Sequence, residues 1–338
     1  MDKTFSNNIF RSYHYEDNND EPLLSESQRY TLHPIKYPKI WEMYKKQLAC
    51  FWIATEVDFS KDKVDWNTKL NDNERYFIKH ILAFFAGSDG IVNVNILDNF
   101  SKDVKILEAQ ITYNFQGTME GIHSEVYSLM IETYIDDPLE KHNLFNAIEK
   151  IPCIAKKANW ALKWTKSTDK NFAKRLIAFT IVEGIFFSGA FCSIYWLKEK
   201  NILPGLTKSN EFIARDERLH TEFGCLLYSM IKYGISEKEV FEMIDEAVNI
   251  ESEFITESLP VKLIGMNNDL MIQYIKYVAD WLLVALGYNK KYNINNPFSF
   301  MNNIGMESRS NFFDERTSTY QKANVFNSST ELKFSDDF

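Results

Sequence analysis

The 338-residue chain is 45% hydrophobic and 25% charged, and its 47 acidic side chains outnumber 38 basic ones for a net charge of −9. This is enough apolar material for a sizeable core, and the length suits one large helical bundle. The acidic balance argues against a nucleic-acid binder, whose phosphate-tracking face would be basic.

Residues 1 to about 32 are rich in Asn, Asp, Ser and Glu without apolar periodicity, and a flexible N-terminal tail is expected there. Helical patterns dominate from Pro34 onward. One helix is expected to begin where Asn71 and Glu74 have capping-box spacing, and to continue through FIKHILAFFAGSDGIVNVNILDNF. Others are expected over about 106–135, 172–200 and, following Pro204 and Gly205, as far as about Tyr233. Ser236 and Glu239 open a further helix with a second capping box, and Leu270–Gly287 forms one more. Period-two alternation is scarce, so the expected fold is all-α, a bundle of unusually long helices over residues 33–304. Residues 305–338 turn polar and read as a second flexible tail, which nevertheless ends in Phe334 and Phe338 around Asp336 and Asp337.

Leu176–Leu197, LIAFTIVEGIFFSGAFCSIYWL, is long enough to cross a bilayer. Its only charge is Glu183, near the middle, where an unpaired carboxylate is costly in lipid. A helix buried on all sides of a bundle is therefore expected, and no membrane. The four cysteines, Cys50, Cys153, Cys192 and Cys225, are far apart and form no C-x-x-C pair, and the N-terminus shows no signal-peptide pattern. A reduced, cytoplasmic setting is expected.

Two Glu-x-x-His motifs stand out: Glu120/His123 in MEGIHSEVY and Glu217/His220 in RDERLHTEF. Residues i and i+3 lie roughly 60° apart on a helix, so both side chains of a motif can reach one ion. Taken alone, the motifs also fit surface ion pairs. Two further acids alter the balance: Asp89 in ILAFFAGSDGIVNVNIL and Glu183 in the apolar run. A buried carboxylate is expensive unless protonated, paired or bound to metal. Each isolated acid precedes its motif by about one helix and its return, so four helices deliver four carboxylates and two imidazoles to one interior. That is the donor arrangement of ferritin-like di-iron and di-manganese bundles. An oxygen-rich, thiolate-free set favours two iron ions, or manganese, over structural zinc.

Tyr127 follows His123 by one turn and Glu120 by two, on the same helix face, and is a candidate for oxidation beside such a site as well as for plain core filling. Phe187, Phe191 and Ile213 fall one or two turns from Glu183 and Glu217 and could wall a dry pocket around the phenol.

The segments FFAGSDGIVN, MEGIHSEVYSLMIETYI, VEGIFFSGAF, RDERLH and LPVKLIGMN resemble the small subunits of eukaryotic-type class I ribonucleotide reductases, from about Pro34 to the C-terminus. The resemblance implies a ferritin-like fold and a homodimer that generates a radical for reducing ribonucleotides to deoxyribonucleotides. It implies that Asp89, Glu120, His123, Glu183, Glu217 and His220 are metal ligands, with Glu120 and Glu217 bridging. It implies Tyr127 as the radical site and Trp52, Asp216, His123 and Tyr320 as a relay to the large subunit. The C-terminal tail, through Phe334 and Phe338, would dock on that partner. Two positions depart from the family pattern, Val94 where an acid is usual and Trp281 where an arginine is usual, and neither is an implied ligand. The alternatives are a di-iron oxidase or monooxygenase acting directly on a small molecule, and a non-catalytic paralogue, which would be expected to lack ligands.

Overall fold

The computed structural model describes residues 21–25, 29–165, 171–258 and 260–301. Ten helices carry the architecture: α1 (Pro38–Ala49), α2 (Ser60–Thr68), α3 (Asp72–Asp103), α4 (Leu107–Tyr134), α5 (Pro138–Phe145), α6 (Pro152–Thr165), α7 (Phe172–Glu199), α8 (Pro204–Met230), α9 (Glu237–Glu253) and α10 (Asn268–Ala285). No strand occurs among the described residues. The fold is the all-α bundle expected.

Local chemistry explains most of the helix ends. Asn71 caps α3 by accepting the Glu74 N–H while the Glu74 carboxylate returns to the Asn71 N–H, and Ser236 and Glu239 do the same for α9. The start of α8 is different. Pro204 supplies a first residue needing no donor, and a distant carboxylate, Asp62 of α2, accepts the Gly205 and Leu206 N–H groups at 2.8 Å each. α8 is thus placed by a contact between helices far apart in sequence.

Four long helices build the core. α3 packs along α4, and α7 packs along α8, with α1 lying across both α4 and α8. α4 buries Tyr113, Gln116, Glu120, His123, Tyr127 and Met130, a stripe at three- and four-residue spacing. Gly224 brings α8 close to α7, since a Cβ there would sit 2.5 Å from Thr180 Cγ2. α3 and α7 are both apolar and long enough to span a membrane, but 89% of the apolar window of α7 is buried inside the bundle. Its hydrophobicity is accounted for by the core.

Two features differ from expectation. The predicted N-terminal tail extends too far: Leu23 is buried, the Glu21 carboxylate accepts from Lys232 N, and Arg29 pairs with the buried Glu108. A single apolar side chain, one backbone hydrogen bond to a carboxylate and one ion pair dock residues that lack any helical period of their own. The second difference is a π turn over Val182–Phe186 that interrupts α7 at Glu183. The compact unit runs to Phe298, and the 305–338 tail with Tyr320, Phe334 and Phe338 lies outside the described residues.

Candidate metal centre

The six candidate ligands come from all four core helices. Asp89 is on α3, Glu120 and His123 on α4, Glu183 in the π turn of α7, and Glu217 and His220 on α8. None is more than 2% exposed. Donor atoms of Glu120, Glu183, Glu217 and His220 all lie within 4.8 Å of one another, as do those of Asp89, Glu120 and His123. The cluster is therefore two overlapping donor sets that share Glu120.

The imidazoles aim the same ring nitrogen inward. His123 Nδ1 is 3.0 Å from Glu217 Oε1 and 3.6 Å from Glu120 Oε2. His220 Nδ1 is 2.9 Å from Glu120 Oε1 and 3.5 Å from Glu217 Oε2. Each of these two glutamates thus reaches both histidines, which is the geometry a bridging carboxylate needs. Asp89 Oδ2, Glu120 Oε1, His123 Nδ1, both Glu183 oxygens, Glu217 Oε2 and His220 Nδ1 are buried without a hydrogen-bond partner. Orphaned buried polar atoms are rare and costly. Here they converge on one place, and the donor chemistry fits two oxygen-preferring divalent cations.

The electrostatics describe the same crowding. Burial, then the neighbouring carboxylate Glu120, pushes Asp89 well above the usual range, and burial with Glu217 does so for Glu183. Burial also works against ionised Glu217, but the close approach of Glu183, His123 and His220 outweighs it and holds that carboxyl well below the usual range. Burial would lower His220, yet Glu120 and Glu217 raise it to about 9. His123 is raised likewise, with Asp216 the largest of the groups opposing burial. Crowding in the buried cluster thus favours protons on Asp89, Glu183 and the two imidazoles, and two cations in place of those protons would meet four carboxylates and two neutral imidazoles.

Comparison with known proteins follows the same line. The family model described as ribonucleotide reductase, small chain, matches residues 29–297. The chain belongs to the ribonucleotide reductase small-chain family. It is 58% identical over 310 residues to the small chain of ribonucleoside-diphosphate reductase from Neurospora crassa, covering 91% of this chain and 76% of that one. It is 54% identical over 319 residues to subunit M2 from Homo sapiens, covering 94% and 82%. Among solved structures, the ribonucleotide reductase Rnr4 homodimer from Saccharomyces cerevisiae superposes with a TM-score of 0.78 at 40% identity, over 90% of this chain and 94% of that one.

Around the cluster, this small chain places its remaining candidates in two groups. Tyr127 is 2% exposed and stacks on Phe85 at 4.6 Å. Phe85 in turn stacks on Phe187 and Phe191, at 5.8 and 5.2 Å, and Ile213 is buried. Burial, then Asp89, raises the Tyr127 phenol well above its ordinary value. Phe85 went unnoticed in the sequence, although it stands one turn before Asp89. The second group is a hydrogen-bonded chain: Trp52 Nε1 donates to Asp216 Oδ2 at 2.7 Å, and the same oxygen is 3.2 Å from His123 Nε2. Arg215 approaches Asp216 Oδ1 and donates to the Cys50 carbonyl at 2.6 Å, a contact that sequence spacing could not reveal. Of the two departures, Val94 is exposed on α3, and Trp281 is half-buried with the Arg218 guanidinium 5.9 Å from its ring centre.

Proposed function

We propose that this chain is the radical-generating small subunit of a class I ribonucleoside-diphosphate reductase, loaded with two iron ions. Asp89, Glu120 and His123 would hold one ion and Glu183, Glu217 and His220 the other, with Glu120 and Glu217, which reach both histidines, serving both positions. Manganese suits the same donors, and the metal is iron in this reading because dioxygen must be reduced beside Tyr127. What the bound pair supplies is an oxidising equivalent from dioxygen that removes an electron and a proton from the Tyr127 phenol.

The chain's own residues do the rest. Phe85, Phe187, Phe191 and Ile213 keep water and reductants from Tyr127. With Nδ1 turned to the metal side, His123 carries its proton on Nε2 and donates it to Asp216, which fixes the ring and accepts from Trp52 as well. The observation that carries the reading is this chain from cluster to indole: an oxidase acting on a small molecule needs the ligands but has no use for Trp52. Tyr320 continues the relay, and the tail docks on the large subunit through Phe334 and Phe338, with Asp336 and Asp337 adding charge. The small chain acts as a homodimer, in the cytoplasm.

The test is reconstitution. Iron-loaded small chain should support reduction of a ribonucleoside diphosphate only when a ribonucleotide reductase large subunit is added. Dioxygen consumption coupled to oxidation of a small molecule, with no deoxyribonucleotide formed, would replace this reading with the oxidase.

A further inference from the structure

The π turn at Glu183 has its own support. Returning from a π turn to α geometry shifts the backbone ladder by one residue, so groups at the junction call for partners outside the ladder. Three are provided here. Ser188 Oγ donates to Ile185 O at 2.7 Å. Lys157 of α6 donates through Nζ to Phe186 O, the last carbonyl of the turn. Glu251 of α9 accepts the Gly189 N–H at 3.1 Å. Lys157 and Glu251 are also an ion pair at 2.6 Å, 1% and 0% exposed.

A fully buried ion pair is an expensive way to hold helices together, and apolar side chains of similar size usually do as well or better. This one has its ammonium on the last carbonyl of the turn that carries a candidate ligand and its carboxylate on the Gly189 N–H, three residues beyond that turn. Gly189 is a matching adaptation: a Cβ there would lie 2.7 Å from Glu251 Oε1, so only glycine lets the carboxylate reach its N–H. The ammonium also lies 3.6 Å from the Phe84 ring centre and 4.1 Å from that of Phe254, and Phe84 packs on Phe85 and Phe187 beside Tyr127.

We infer that the Lys157–Glu251 pair is a positioning device that clamps the π turn and so aims Glu183 at the second cation. The inference rests on the two-metal reading above. It predicts an asymmetry: loosening the clamp weakens the cation position that depends on Glu183 and spares the one built on Asp89 and His123.

Manganese(II) titration of the metal-free full-length protein tests this, with unbound ion counted by its electron paramagnetic resonance signal. Thermal melts are recorded alongside. The variants are Lys157→Met with Glu251→Gln, and separately Gly189→Ala, compared with Glu183→Ala and Asp89→Ala. The double variant should bind one ion with wild-type affinity and the other at least tenfold more weakly; adding Glu183→Ala to it should leave the spared ion's affinity unchanged, whereas adding Asp89→Ala should weaken that ion too. Two wild-type affinities in a folded variant would overturn the clamp, as would equal weakening of both positions in step with the melting temperature. If the double variant does not fold, Gly189→Ala decides by the same criteria, because it displaces the carboxylate and leaves the ion pair's chemistry intact. Fewer than two ions on the wild type would overturn the two-metal reading and this inference with it; two ions on the wild type and unchanged variants overturn the clamp alone.

Discussion

Replacing Trp52 with phenylalanine separates structure from relay. The indole is 2% exposed, its Nε1 donates to Asp216 Oδ2 at 2.7 Å, and its ring lies 5.1 Å from Phe212 and 6.0 Å from His123. Trp52→Phe deletes a buried hydrogen bond to a charged group, about 1.5–3 kcal/mol, and part of the ring's packing, roughly 1 kcal/mol more. A total near 3 kcal/mol is below the ordinary 5–15 kcal/mol of domain stability, so the variant should fold. The metal cluster keeps its six donors, so Tyr127 should be oxidised in normal yield. Phenylalanine is far harder to oxidise than indole, so turnover with the large subunit should fall to background. Denaturant melts, spin counting and deoxyribonucleotide formation measure the three effects. Turnover within about threefold of wild type would refute the assignment of Trp52 to the relay. A stability loss under about 0.5 kcal/mol would refute the energetic argument.

Other outcomes follow from the same geometry. Glu217→Ala should abolish tight binding of both metal ions, because this carboxylate reaches both imidazoles, whereas Asp89→Ala should spare one; metal analysis after gel filtration distinguishes them. Burial and three nearby carboxylates raise the Tyr127 phenol, so its neutral form persists as pH rises past the ordinary tyrosine value of about 10. An ultraviolet titration to about pH 11 should therefore superpose for wild type and Tyr127→Phe, and a one-tyrosine difference would contradict it. A peptide copying the last residues through Phe338 should inhibit the holoenzyme competitively, and unchanged activity at high peptide concentration would count against tail docking.

What the sequence revealed was local in origin. The capping boxes at Asn71/Glu74 and Ser236/Glu239, and the two Glu-x-x-His motifs, are complete within one helical turn, so spacing alone declares them. Glu183 was visible as a lone charge in an apolar run. The π turn beneath it was not, because a one-residue slip of the ladder leaves no periodic signature at the resolution of side-chain patterning. Lys157 and Glu251 were equally silent. They are ordinary charged residues on separate helices, and only tertiary packing joins them to each other and to the turn. Glu21 with Lys232, and Asp62 with the start of α8, are hidden for the same reason. Trp52 and Asp216 acquired meaning first from resemblance; their 2.7 Å contact brings together residues more than half the small-chain core apart in sequence.

The most direct measurement loads the metal-free chain with ferrous iron, admits dioxygen and records electron paramagnetic resonance on wild type and on Tyr127→Phe. A tyrosyl signal in the wild type that vanishes in the variant, with two irons bound in both, is the predicted result. A signal that survives in Tyr127→Phe, or no radical in a wild type carrying both irons, would contradict the account.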